Sequence, residues 1–137
     1  MIQITIGLKG IGKTKKLIDE ANAAAKSEKG DTVCITNGSR LIHDIDRQIR
    51  LINTESFDIK NFDMFEGFLC GVISGNYDIT HIFMDSIFKI VPGGKMADLD
   101  KFMAALESLD EQFGVSFTIM VTAEPAEATE NVKKYIA

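Results

Sequence analysis

The sequence predicts an α/β fold: a three-layer sandwich with a mainly parallel five-stranded sheet and helices on both faces. Three observations predict it. Short β-branched apolar runs alternate along the chain with segments of helical periodicity. Two of the runs, residues 79–85 and 116–122, are nearly continuously apolar, as strands covered on both faces are. Strand–helix alternation in turn implies crossover connections, which join parallel strands. At 137 residues, 45% apolar and 26% charged, the chain fits one soluble domain spanning residues 1–137.

Taken in order, residues 2–6 (Ile2, Ile4 and Ile6 with Thr5) read as a strand ending at Gly7. Leu17, Ile18, Ala21, Ala24 and Ala25 recur at helical spacing between Lys13 and about Ser27, with Gly30 as a stop. Residues 32–36 are a second strand. After the turn Asn37-Gly38-Ser39, the apolar positions Leu41, Ile42, Ile45, Ile49 and Ile52 predict a helix capped by Ser39. Residues 57–60 are a weak third strand. Asp63 and Glu66 predict a capping box for a helix carrying Phe65, Phe68, Leu69, Val72 and Ile73. The strand at 79–85 follows, then a loop at Pro92-Gly93-Gly94-Lys95. Leu99, Phe102, Met103, Leu106, Leu109 and Phe113 form the clearest helical stripe. After the strand at 116–122, Pro125 opens a last helix bearing Val132, Tyr135 and Ile136.

A net charge of −5 gives no global attraction to nucleic acid or anionic membranes. No apolar stretch approaches membrane-spanning length, and the strand-like opening lacks a secretory pattern, so the expected location is the cytoplasm. Cys34 and Cys70 show no ligand spacing and read as two buried free thiols; His43 and His81 are isolated.

One segment carries chemistry. Gly7-Leu8-Lys9-Gly10-Ile11-Gly12-Lys13-Thr14, followed by Lys15, matches G-x-x-x-x-G-K-[ST] between a strand and a helix. Glycines let the backbone fold tightly and turn its N–H groups towards phosphate. The helix beginning there adds its positive end. Lys13 is placed to reach the β- and γ-phosphates, and the Thr14 hydroxyl to bind Mg²⁺.

Through this loop and its strand–turn–helix setting the chain resembles the P-loop NTPase superfamily. The resemblance implies a nucleoside triphosphate held with Mg²⁺, with Lys13 as phosphate lysine and Thr14 as metal ligand. It also implies an Asp at the end of an apolar strand, and Ile82-Phe83-Met84-Asp85 looks like that Walker B element. Many such ATPases place a water-polarising Glu next; here Ser86 stands instead, so slow hydrolysis is expected. Glu66 and Glu124 are substitutes, though each reads first as a cap or surface group. Thr122 stands where RecA-like ATPases can sense the γ-phosphate. Among Arg40, Arg47 and Arg50, Arg40 is best placed to act as an arginine finger, since it follows the second strand. Partitioning-type ATPases carry an extra lysine directly after the first glycine; here Leu8 is there and Lys9 follows. Thr122-Ala123-Glu124-Pro125 departs from the guanine-reading element of GTPases, which favours ATP.

Element order is similar to the RecA-like and type II thymidine-kinase-like branch, although Ser86 and the scattered cysteines depart from the kinases. The expected function is ATP binding through the loop and Mg²⁺, with weak or partner-activated hydrolysis, the site being completed by a homo-oligomer or a protein partner. A nucleotide-dependent regulatory module and a small-molecule kinase are the alternatives. The loop at 91–98, with Lys95, is a candidate mobile element.

Overall fold

Five strands, separated by helices except between the second and third, align in one sheet, as seen in the computed structural model, which describes residues Met1 to Ala137. The elements are β1 (Ile2–Gly7), α1 (Lys13–Ser27), β2 (Asp31–Thr36), β3 (Arg50–Asn53), α2 (Phe62–Ser74), β4 (Ile79–Asp85), α3 (Ile87–Ile90), α4 (Met96–Phe113), β5 (Ser116–Thr122) and α5 (Glu130–Lys133). The strand order is β1-β5-β4-β2-β3, and every neighbouring pair is parallel. Gly7 stands opposite Thr122, and Thr36 opposite both Asp85 and Asn53, so the strands finish along a common edge.

Alternation along each strand decides which core a residue enters. Ile4, Val33, Ile35, Ile82, Met84, Ile119 and Val121 point towards α2, α3, α4 and α5 and join a cluster of 26 buried residues. Cys34, Phe83 and Met120 point the other way, into a cluster of nine with Leu17, Ala21 and Ala24 of α1. The two apolar layers on opposite sides of the sheet explain why residues 81–85 are buried without a break.

Several local expectations are corrected. Residues 41–49 are a chain of turns, and the third strand is β3, earlier than the run at 57–60. Leu41, Ile45 and Ile49 are buried against α1, but Ile42 is 60% exposed. Side chains offer this backbone other partners. Asp46 N–H donates to Asn22 Oδ1 at 2.8 Å and Gln48 N–H to Asp46 Oδ1 at 2.9 Å, in competition with a helical ladder. Secondly, α2 is capped by Asn61, whose Oδ1 accepts from Met64 N–H at 2.8 Å, rather than by Asp63 with Glu66. Thirdly, Pro125 opens only a 3₁₀ turn. A single helical turn, α5, follows behind Thr129, and Ile136 then bridges Ile4 on the outer side of β1. Cys70, expected buried, is exposed, whereas Cys34 is buried.

Candidate functional site

The site is built from the loop between β1 and α1 and from the edge where β2, β4 and β5 end. Gly10 and Gly12 adopt φ of 94° and 88°, a left-handed region that favours glycine. They fold the loop back over the start of α1, a fifteen-residue helix whose first N–H groups have no helical partner. Lys13 is buried, and its Nζ donates to the Leu8 carbonyl at 2.8 Å, spanning its own loop.

One position further on, Thr14 Oγ1 donates to Asp85 Oδ2 at 3.2 Å. Thr14 comes from α1, which the loop joins to β1, and Asp85 from β4; β1 and β4 flank β5 in the sheet order, and the two residues meet because both lie at the sheet's carboxyl edge. Asp85 is only 3% exposed. The same Oδ2 faces Arg40 Nη2 at 3.8 Å. The next residue, Ser86, pairs its hydroxyl with that of Thr122 at 3.3 Å.

A cavity of about 620 Å³ opens over these groups. It is lined by four cationic side chains, Lys9, Lys13, Arg40 and Lys89, against the single carboxylate Asp85. In a chain of net charge −5 this local excess of positive charge favours an anionic ligand. Thr14 and Asp85 offer hard oxygen donors of the kind magnesium takes, but two protein oxygens make no cage. Nor does any group of three or more His, Cys, Asp or Glu gather here or elsewhere. A divalent ion would fit this pair only with further oxygens supplied by a ligand.

Beneath the site, burial pushes the Cys34 thiol up to about 12, and the Asp85 charge adds to the effect. Cys34 is therefore a protonated core group with no nucleophilic part to play.

Of the loop residues singled out from sequence, Lys9, Gly10, Gly12, Lys13 and Thr14 line the cavity. Gly7 ends β1 beneath it, Leu8 and Ile11 turn outwards, and Lys15 pairs with Asp19 at 2.9 Å on the exposed side of α1. Asp85, Arg40 and Thr122 join the site. Arg47 is exposed, and Arg50 lines a different cavity beside β3. Glu66 lines a separate cavity of about 310 Å³ with Gly93 and Gly94, Glu124 is exposed on the turn after β5, and Lys95 lies outside the site. Phe88 and Lys89 enter the lining from α3, a one-turn helix too short to leave a periodic signal.

The chain matches no protein-family model and no curated protein sequence.

Proposed function

We propose that this protein binds a magnesium–nucleoside triphosphate, ATP in the first instance, in the cavity between the β1–α1 loop and Asp85. On this reading it is a weak or partner-activated ATPase. The observation that carries the reading is the meeting of Thr14 with Asp85 at 3.2 Å beside a loop whose two left-handed glycines begin a helix. Resemblance to P-loop NTPases expects that meeting, yet the two residues are 71 positions apart.

Each residue then has a task. Amides of the loop and the start of α1 cradle the polyphosphate. The Lys13 ammonium leaves the Leu8 carbonyl for the β- and γ-phosphates, and Lys9 and Lys89 add positive charge at the rim. Thr14 and Asp85 hold the metal, Asp85 directly or through water. Magnesium, when bound, neutralises charge that develops on the phosphates. Thr122, at the end of the strand between β1 and β4 and in the cavity lining, would contact the terminal phosphate.

Slow turnover follows from the lining. Asp85 is its only carboxylate, and Ser86, hydrogen-bonded to Thr122, is no base. That same observation favours a second reading, a nucleotide-dependent regulatory module with little hydrolysis. Calorimetry with ATP, GTP and their diphosphates, with and without Mg²⁺, tests the binding. Turnover measured over a range of protein concentrations separates the two readings. A specific rate that climbs with concentration supports a shared or partner-completed site, and a negligible rate throughout supports the module. Failure of every nucleotide to bind overturns both.

A further inference from the structure

We propose that Arg40 is a built-in counter-cation of Asp85, and that a divalent metal arriving with nucleotide displaces it and frees the corner of chain that carries it. This rests on the nucleotide reading above and names a regulation of the same site.

Two groups already share one oxygen. Asp85 Oδ2 accepts from Thr14 Oγ1 at 3.2 Å and faces Arg40 Nη2 at 3.8 Å. The carboxylate is 3% exposed, so leaving it without a compensating cation is costly. Arg40 is 58% exposed, so its guanidinium returns to water at little cost. A metal ion bound at this carboxylate would set a second positive charge against the guanidinium. The exposed partner is the one free to leave.

The surrounding chain is arranged so that only a short stretch responds. Residues 37–49 form neither helix nor strand. Their far part is fixed: Leu41, Ile45 and Ile49 are buried against α1, and the Asn22 side chain bonds the Asp44 carbonyl at 3.0 Å and the Asp46 N–H at 2.8 Å. Gly38, at φ 119°, is tied back to β3 through Asn53 Oδ1 at 2.8 Å. The anchors Gly38 and Leu41 bracket only Ser39 and Arg40, both exposed, and the contact from Arg40 to Asp85 joins this corner to the site. Metal at Asp85 therefore reads out as mobility at Ser39 and Arg40, within the peptide 38–43.

Hydrogen exchange of peptides covering residues 38–43 tests this in the full chain. Three conditions are compared: protein alone, with ATP and a chelator, and with ATP and Mg²⁺, binding being measured in parallel by calorimetry. Exchange in the wild-type protein should rise about three- to tenfold with ATP and Mg²⁺ together, but not with ATP alone. Arg40→Gln should exchange at the raised rate in all three conditions, and Arg40→Lys should respond less than wild type. Calorimetric binding of Mg-ATP with unchanged or slowed exchange at 38–43 would overturn the displacement while leaving the nucleotide site standing. So would an Arg40→Gln protein that responds as wild type does. Absence of Mg-ATP binding would defeat the nucleotide reading, and this proposal with it.

Discussion

His81 and Asp85 lie four residues apart on β4, both on the face covered by α1, and they are held in opposite ways. His81 Nδ1 meets Glu28 Oε2 at 2.8 Å, Nε2 meets Thr118 Oγ1 at 2.8 Å, and the ring stacks on Phe83 with centroids 4.1 Å apart. Glu28 also accepts from Thr80 at 3.0 Å. Both ring nitrogens are thus satisfied at short distance. Asp85 has two longer contacts, to Thr14 and Arg40, both on one oxygen and both beneath a cation-lined cavity. A hydroxyl, an imidazole and a carboxylate in line look like catalytic machinery, yet Thr118 sits in mid-strand at 3% exposure. The less tidy end of the strand is the one we propose for a ligand. Fully satisfied buried networks specify a fold. Groups kept short of full satisfaction have binding capacity left to use.

The strongest way to break this contrast is at the loop. Lys13→Ala should weaken Mg-ATP binding about a hundredfold or more by removing the one buried ammonium of the cavity, with thermal unfolding little changed. Calorimetry and a melting curve on the same sample check both halves. Retained affinity would take Lys13 out of the site.

At the other end, His81→Leu should destabilise the protein by about 2 kcal/mol, because Thr118 and Glu28 lose their shared partner inside the sheet. Denaturant unfolding measures the loss, and Mg-ATP affinity of the folded variant should match wild type. A variant of normal stability that fails to bind nucleotide would reverse the roles assigned to the two ends.

Asp85→Asn sharpens the contrast from the opposite side. Its stability should stay within about 1 kcal/mol of wild type, since the change removes a buried charge while keeping an oxygen for Thr14. The gain in ATP affinity that Mg²⁺ brings should shrink about tenfold, as the metal loses its carboxylate. Equal affinity losses with and without Mg²⁺ would make Asp85 a structural residue like His81.

Sequence exposed the two ends of β4 unequally. Asp85 was singled out because resemblance to P-loop NTPases implies a carboxylate at the end of an apolar strand, and Asp85 does line the cavity beside the loop. His81 looked isolated because its partners are 53 and 37 residues away, a separation no local pattern records. The sheet was legible wherever strands are buried on both faces. It failed at β3, where Leu51 and Ile52 lie only half-buried at the sheet's edge and merge with the four-residue spacing of Leu41, Ile45 and Ile49. That spacing correctly reported burial on one side, but Asn and Asp side chains had taken over the hydrogen bonds a helix needs. Lys89 was missed because its place depends on how one helical turn leaves β4.

The smallest expected effect joins Asp85 to the core beneath it. Burial first, and the Asp85 charge second, hold the Cys34 thiol up at about 12, against 9.0 for the same group in an unfolded chain. Between those values the unfolded state has released a proton that the folded state keeps. The folded state then binds more protons, so stability falls as pH rises through this window and is fully present below it. Between about pH 8.5 and about pH 10 the loss should be about 1 kcal/mol from this group. Other groups titrate in the same range, Tyr135 among them with its own raised value, so the quantity to measure is the difference between wild type and Cys34→Ala. That difference should change with pH by the stated amount. In an Asp85→Asn background the change below pH 10 should be nearly the same, and the difference should level off at a lower pH, because the burial contribution remains and the charge contribution is gone. A difference flat in pH would mean that the thiol reaches water, and that the floor under Asp85 is more open than its 3% exposure implies.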